Sequence, residues 1–282
     1  MGDGRADIAL NKTFPSGCEL GEGLFVKNDK AAWVDINNNY LMVYEDGNLT
    51  CQTTLHKPSI VYDIKQSEVN FGSDVGLIAF NTITKRETVL NDFSAMHNTG
   101  DYRSNDGGFC ETHQLLSFMH RSSPEDNLGL IYRVSDESIS LIDNRLHIPN
   151  SFIEIGPSEI LISDSLKGQI WSYQLDKSGN VAEKTIWAQL EPGIAPDGGC
   201  LVGELVFIAL WDDAAIAVFD KDGMLLNKLA LPVVRPTNCK FDKNSSQLWI
   251  TSAREGLSIE QMSLYPASGH TFVYDLELRS TC

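Results

Sequence analysis

Residues 160–173, which read ILISDSLKGQIWSY, contain the unit on which the fold depends. A run that begins with three branched apolar residues (160–165) is followed by the turn Leu166-Lys167-Gly168 and by a second run (170–173) that ends on a tyrosine. Short runs of this kind on either side of a polar turn predict two antiparallel strands joined as a hairpin.

The second run of this unit recurs through the chain in six places, each time closing on an aromatic or branched residue. The six runs are residues 41–44, 77–80, 131–134, 170–173, 216–219 and 271–274. Their closing positions lie 36, 54, 39, 46 and 55 residues apart, which averages 46. A period of this length is typical of the blades of a β-propeller.

Partner strands precede four of the runs, and the last of them is separated from its run by a longer insertion at 253–269. These partners are residues 31–36, 160–165, 206–211 and 247–252. Because six repeats use the whole chain, we expect an all-β protein with one six-bladed β-propeller domain over residues 1–282 and very little helix. Pairing of the N-terminal segment with the last blade, at residues 271–276, would close the ring and remove its free edges. The alternative is a two-sheet sandwich, which also contains hairpins but does not require the regular period.

The charge balance restricts the possible partners. The chain has 22 Lys and Arg against 38 Asp and Glu, a net charge of −16, and no basic cluster interrupts this acidity. We therefore expect neither nucleic-acid binding nor attraction to anionic membranes.

The sequence also contains no apolar leader and no run long enough to span a bilayer. Its six cysteines are widely spaced and form no Cys-x-x-Cys pair. Although an even count would allow disulfides, a cytoplasmic protein with reduced thiols is the expectation. The oligomeric state is left open.

Several polar residues stand where units of the repeat should end. They are Glu22 between two glycines, the stretch 103–107 (RSNDG), Asn150 after a proline, and Asp197 in Pro-Asp-Gly. A closed ring of sheets would bring such residues to a central channel, where carboxylate and amide oxygens could share a cation.

The chain resembles the senescence marker protein/gluconolactonase/luciferin-regenerating family in a series of short motifs, which occur in the family's order between about residues 19 and 274. The motifs are residues 20–23 (LGEG), 32–36 (AWVDI), 102–107 (YRSNDG), 148–150 (IPN), 162–165 (ISDS), 196–198 (PDG), 231–232 (LP), 236–239 (PTNC) and 248–254 (LWITSAR). Any one of them is a weak signal, since Pro-Asp-Gly occurs in many turns. The ordered series is specific.

The resemblance implies a six-bladed propeller, mostly found in lactonases and related ester hydrolases that hold a divalent cation. Carried over position by position, the metal ligands are Glu22, Asn150 and Asp197, and the substrate-binding residues are Arg103 and Asn105. Hard oxygen ligands favour calcium, with magnesium, manganese or zinc as the other candidates.

These assignments predict a metal-dependent hydrolase of a sugar lactone, or of a similar small cyclic ester, as the small-molecule substrate. Asp197 would act as the general base, Glu22 mainly as a ligand, and Arg103 and Asn105 would bind the carbonyl oxygen or sugar hydroxyls. The alternative is a non-catalytic propeller that binds calcium or a ligand in a regulatory role.

Each of the assigned residues could instead have an ordinary structural role. Glu22, Asn150 and Asp197 could be ordinary turn residues, and Arg103 with Asp106 could be a solvated pair in a loop.

Other residues are expected to be structural. Asp164 should organise hairpin hydrogen bonds, Trp211 should pack within a blade, and His113 is more often structural than catalytic in such a context. Ser117 and Phe118 replace two small residues of the family pattern, so we expect them to crowd or reshape the substrate pocket.

Overall fold

A computed structural model describes residues 6–110, 113–135 and 138–278 of the chain. Across these ranges, the strands form six four-stranded sheets in which neighbouring strands are antiparallel. The innermost strand of each sheet contacts the innermost strands of the two adjacent sheets. The sheets therefore form a closed ring around a central channel, and the predicted six-bladed propeller is confirmed.

Each blade runs outward from the channel in four strands. Blades 1 to 3 consist of β2 Gly21–Lys27, β3 Lys30–Asp35, β4 Tyr40–Glu45 and β5 Asn48–Thr53; β6 Pro58–Ile64, β7 Glu68–Ser73, β8 Gly76–Asn81 and β9 Glu87–Asp92; and β10 Tyr102–Phe109, β11 Gln114–His120, β12 Leu130–Val134 and β13 Ile139–Asp143. Blades 4 and 5 consist of β14 Pro149–Gly156, β15 Glu159–Asp164, β16 Gln169–Leu175 and β17 Val181–Gln189; and β18 Ala195–Val202, β19 Leu205–Trp211, β20 Ala215–Phe219 and β21 Leu225–Ala230. Blade 6 consists of β22 Arg235–Asp242, β23 Gln247–Ala253, β24 Thr271–Leu278 and β1 Ala6–Phe14.

The six repeated runs of the sequence all fall in the third strand of a blade, counted from the channel, and the four predicted partners fall in the second strands. These middle strands are the ones buried on both faces, which explains why their sequences are the most apolar and the easiest to recognise. The period found in the sequence is therefore the true blade repeat.

The ring closes as predicted, through the N-terminal strand. β1 pairs with β24 along its length, from Ala6 opposite Leu278 to Phe14 opposite Thr271. Phe14 is buried and stacks on Trp249 with ring centroids 5.6 Å apart. The first strand of the chain thus completes the sheet that the last strands begin.

The hydrophobic core lies between neighbouring blades. One cluster joins Val34 and Leu41 of blade 1 to Val69, Phe71 and Ile78 of blade 2, and similar clusters fill the other interfaces. Each blade therefore buries its faces against two neighbours, and the ring depends on all six.

Helix is confined to two short elements in the described ranges, the 3-10 turn Ser165–Lys167 and the helix α1 Ile259–Leu264 in the insertion before β24. Ser258 and Gln261 cap α1 reciprocally. None of the described helices is long and apolar enough to cross a membrane.

Candidate active site

One end of the channel holds a cavity of about 290 Å³ that all five predicted site residues line. Glu22 lies on β2, Arg103 and Asn105 on β10, Asn150 on β14, and Asp197 on β18. Each of these positions is close to the start of an innermost strand. The structure thus collects side chains from blades 1, 3, 4 and 5 around one space.

A β-bulge near the start of every innermost strand sets the direction of these side chains. The pairing shifts between Glu22 and Phe25, between Ser104 and Gly107, between Asn150 and Ile153, and between Pro196 and Gly199, with equivalent shifts in β6 and β22. In each case the inner strand has one residue more than its partner. Bulges bend a strand and turn a side chain away from the normal alternation, and they are frequent beside active sites.

Glycine is required at the bulge of β2 for two reasons. Gly23 has φ of +59°, in the left-handed region, and a Cβ atom there would lie 2.3 Å from the backbone oxygen of Ser59. The adjacent inner strands can approach this closely only when the residue has no side chain. This accounts for the glycine that follows Glu22 in the sequence.

Hydrogen bonds hold the polar side chains of the cavity in place. The Arg103 guanidinium donates to the Asn105 Oδ1 and to the Ser104 carbonyl, both at 2.9 Å. The Asn105 amide donates to the Pro149 carbonyl of the next blade at 3.0 Å. The Asn150 amide donates to the Asp197 carboxylate. The cluster is therefore cross-linked between blades.

Burial and mutual repulsion favour the protonated forms of the acidic groups. Burial, followed by the charge of Asp106, raises the pKa of Asp197 to about 8. Burial likewise raises the pKa of Asp106 to about 6, and it raises the pKa of Glu22 well above its ordinary value with help from Asp197 and Asp106. Burial also lowers the pKa of Arg103.

The sequence profile described as the SMP-30/gluconolactonase/LRE-like region matches residues 20–254. The chain belongs to this family. The matched region includes all five predicted site residues, and the resemblance inferred from the short motifs is confirmed.

Relatives of the chain within the family include both regucalcins and lactonases. Human regucalcin is 23% identical over 290 residues, which covers 95% of this chain and 94% of regucalcin. The L-arabinolactonase of Azospirillum brasilense is 28% identical over 160 residues, 54% of this chain and 52% of that protein. The crystal structure of a calcium-binding regucalcin from Agrobacterium tumefaciens aligns with a TM-score of 0.87 at 23% identity, covering 96% of this chain and 95% of that one.

Asp106 is a buried acidic residue beside the site that was not among the predicted ligands or substrate-binding residues. It lies within β10 rather than in a loop, and its side chain is only 4% exposed, so its reading as half of a solvated pair is wrong. Its backbone N–H donates to the Ser117 Oγ at 3.1 Å, and its charge acts on Glu22 and Asp197. The motif Asn-Asp-Gly could not reveal this, since it is equally typical of a turn.

Trp211 also differs from expectation. It lines the cavity, and the Arg235 guanidinium lies 4.8 Å from its ring centroid, so packing within a blade does not describe it fully. The residue ends β19, where the turn to the third strand faces the cavity. Glu255, which follows β23, lines the same space.

The expected crowding of the cavity by Ser117 and Phe118 is wrong. Phe118 is fully buried and packs against Phe93 and Tyr132 in the core, and neither residue lines the cavity. Ser117 donates to the Asp106 carbonyl at 2.8 Å, so it secures the bulge of β10. Met119 is the residue of β11 that borders the cavity.

The prediction that Asp164 organises its hairpin is confirmed. Its carboxylate accepts backbone hydrogen bonds from His147 at 2.9 Å, Ile148 at 3.3 Å and Leu166 at 3.2 Å. Asp35, at the equivalent position of blade 1, accepts in the same way from the backbone of residues 19 and 20.

The oxygen donors in and beside the cavity suit a hard divalent cation. Beside the cavity, the Asp106 Oδ2 and the Asn238 Oδ1 are buried oxygen atoms without a hydrogen-bond partner among the described residues. Two further carboxylates, of Glu22 and Asp197, lie in the same cluster. Asn150 turns its amide nitrogen toward Asp197, so ligation through its oxygen needs a half-turn of the amide, which exchanges two groups of similar size. Oxygen donors with this excess of negative charge match calcium or magnesium.

Proposed function

We propose that this chain hydrolyses a sugar lactone, or a similar small cyclic ester, in a reaction that depends on a divalent cation. The observation that carries the proposal is the convergence of Glu22, Arg103, Asn105, Asn150 and Asp197 on one cavity. Two carboxylates and an amide provide cation ligands, while an arginine and a second amide provide hydrogen-bonding groups for a hydroxylated substrate.

The proposed ligands are Glu22, Asn150 and Asp197, with calcium as the preferred ion. When bound there, a divalent cation would polarise the lactone carbonyl and stabilise the charge that develops on its oxygen. Only three protein ligands are assigned, so substrate and water have room to approach. Calcium binding fits the family, since the Agrobacterium tumefaciens regucalcin is described as a calcium-binding protein.

Asp197 is the proposed general base. It is 5% exposed and lines the same cavity as the substrate-binding groups. The environment that raises its pKa to about 8 also makes its carboxylate a better proton acceptor than an exposed aspartate. Asp197 would therefore remove a proton from the attacking water.

Arg103 and Asn105 are the proposed substrate-binding pair. Their mutual hydrogen bond of 2.9 Å fixes the guanidinium, whose Nε and Nη2 make no hydrogen bond within the described part of the chain. These N–H groups are available to the carbonyl oxygen or to neighbouring hydroxyls of a substrate. The guanidinium thus is held in place before substrate arrives.

The size and walls of the cavity favour a small substrate. Its volume of about 290 Å³ is at the lower end of the roughly 300–1,000 Å³ typical of ligand pockets. Ile36, Met119, Ile148 and Trp211 supply apolar surface in the same cavity as the polar cluster. Such surface suits the carbon face of a sugar ring.

A non-catalytic, calcium-binding role is the second candidate, favoured by the regucalcin relatives. Hydrolysis of a panel of aldonolactones, followed by proton release with and without calcium, magnesium, manganese or zinc, separates the two. We expect at least one lactone to be hydrolysed above the spontaneous rate when the cation is added, and chelation to abolish this. Cation binding without hydrolysis of any lactone would favour the regulatory role.

A further inference from the structure

A second cavity lies at the other end of the channel, where the innermost strands end. Its volume is about 260 Å³, and it is lined by residues of β6 and β22 and by later residues of β2, β10, β14 and β18, whose earlier residues line the candidate active site. On β14, for example, Asn150 borders the first cavity and Glu154 the second. The two cavities therefore occupy opposite faces of the ring.

Three potential metal ligands meet at this second cavity. One ligand atom each of Cys110, His113 and Glu154 lies within 4.8 Å of the other two. The Cys110 Sγ and the His113 Nδ1 are 3.3 Å apart. His113 is buried, Cys110 is half-buried and Glu154 is exposed.

The pairing of the end of β10 with the start of β11 brings the cysteine and the histidine together. Phe109 pairs with Gln114 at the end of the two strands, and the Cys110 N–H donates to the His113 carbonyl at 2.9 Å. Two residues three apart in sequence therefore stand opposite each other. Glu154 comes from β14, the innermost strand of the next blade.

The spacing of these atoms is close to that of a coordinated zinc ion. Zinc binds sulfur at about 2.3 Å and nitrogen or oxygen at about 2.0–2.2 Å in a tetrahedral shell, which places neighbouring ligand atoms about 3.3–3.6 Å apart. The sulfur and the nitrogen already meet this condition. The exposed glutamate side chain can move the remaining ångström or so without disturbing the core.

We propose that Cys110, His113 and Glu154 form a second metal site, for Zn²⁺, in which water completes the shell. A thiolate and an imidazole select a borderline-soft ion, unlike the oxygen donors at the other end of the channel. Binding displaces the thiol proton of Cys110 to solvent and links blade 3 to blade 4. This site does not depend on the proposed lactonase function.

Lys240 lines the same cavity and carries a positive charge that opposes a cation. Its ammonium group, which comes from β22, donates to the Gly199 carbonyl of β18 at 2.8 Å. The affinity of the site must therefore come from the thiolate and the imidazole, and loss of Cys110 should remove it.

Cobalt absorption tests the proposal with the full-length protein. After chelation and with calcium kept in excess, Co²⁺ is titrated into wild type, Cys110→Ser, Glu154→Gln and the control Cys51→Ser, whose exposed cysteine lies on β5. We expect a thiolate-to-cobalt charge-transfer band in wild type and in the control, its displacement by Zn²⁺, and its loss in Cys110→Ser. Glu154→Gln should weaken cobalt binding by about tenfold or more, the scale on which even supporting groups affect metal sites.

A wild-type protein without the band, or a Cys110→Ser protein with an unchanged band, would overturn the proposal. An unchanged cobalt affinity in Glu154→Gln would also contradict the assigned ligand set. Calcium-dependent lactone hydrolysis, measured on the same samples, should be equal in Cys110→Ser and wild type, so failure of either proposal is seen separately.

Discussion

Three carboxyl groups, those of Glu22, Asp106 and Asp197, act on one another's ionisation at the wall of the channel. Arg103 places positive charge near Glu22, and Lys240 places it near Asp106. Bringing like charges together in a buried site is unfavourable unless bound protons or a cation neutralise them. The arrangement is therefore easier to understand as a binding site than as a stabilising feature.

The stability of the chelated protein should fall as the pH rises from about 4 to about 8. The pKa values of Asp106 and Asp197 are raised in the folded state from 3.8 to about 6 and about 8. The folded protein then binds more protons than the unfolded chain, so the free energy of unfolding decreases with pH across this window. Urea denaturation in chelator at several pH values measures it.

The variant Asp197→Asn tests the origin of this slope, since it removes one of the titrating groups. We expect it to flatten the decrease, and saturating calcium to do the same in wild type. A chelated wild-type protein whose stability rises between pH 6 and pH 8 would show that the carboxyl groups are not coupled as described.

Arg103→Ala should reduce kcat/KM by roughly 10- to 150-fold, because loss of a charged hydrogen bond costs about 1.5–3 kcal/mol. The rise in melting temperature on adding calcium should persist, since Arg103 is not an assigned ligand. Arg86→Ala, at an exposed position between β8 and β9, is the control and should leave both quantities unchanged. A wild-type value of kcat/KM in Arg103→Ala would contradict the assigned role of Arg103 in substrate binding.

At the scale of the strand, the repeated bulge is the feature that directs polar side chains of an otherwise regular blade into the candidate active site. It lies at Glu22 in β2, directly after Asn150 in β14, and includes Asp197 in β18. Without the extra residue, each of the following side chains would point to the opposite face of its strand. The bulge therefore determines which side chains near the start of the strand point into the channel.

Gly23→Ala should destabilise the protein and reduce its response to calcium. The added Cβ would meet the backbone of Ser59, 2.3 Å away, so β2 and β6 must separate and displace Glu22. Overpacking of this kind lowers the free energy of unfolding by about 1–3 kcal/mol. The cost of placing alanine at a left-handed φ adds to this loss. Urea denaturation and melting temperatures with and without calcium measure the two effects.

Gly47→Ala is the matched control, since Gly47 also has a positive φ, +81°, but has nothing within 4 Å of its Cβ position. Its free energy of unfolding should fall only by the cost of placing alanine at a left-handed φ, about 1–2 kcal/mol. Its response to calcium should be unchanged. Equal losses in the two variants would show that the close approach at Gly23 is unimportant.

The blades were predictable from sequence, but the bulges were not. The third strands are apolar on both faces, so their period is visible without any knowledge of pairing, as in residues 170–173. A bulge exists only relative to a partner strand, and Asn105-Asp106-Gly107 has the same composition as a turn. For this reason Asp106 was missed, and the motif resemblance was needed to select Glu22, Asn150 and Asp197.

At the scale of the molecule, ring closure keeps the cavity intact, because its side chains come from four different blades. The closure depends on β1, whose Phe14 packs on Trp249 and Trp33. The sequence predicted this pairing from the need to cover the edge of the last blade. It could not predict the apolar contacts between blades, which depend on how the sheets face each other.

Phe14→Ala should lower the free energy of unfolding by about 3–5 kcal/mol, the usual loss for a buried phenylalanine. Leu10→Ala, in the same strand but 56% exposed, is the control and should change it by less than about 0.5 kcal/mol. Urea denaturation compares the two variants. Similar values for both would mean that β1 does not hold the ring closed.

The central claim is that Asp197 takes part in a cation-dependent hydrolysis. The most direct test is the initial rate of aldonolactone hydrolysis at saturating calcium for wild type, Asp197→Asn and the control Asp222→Asn, whose exposed carboxylate lies in the turn before β21. The proposal predicts calcium-dependent hydrolysis by wild type and Asp222→Asn, and only the spontaneous rate with Asp197→Asn. Equal rates for Asp197→Asn and wild type would contradict it.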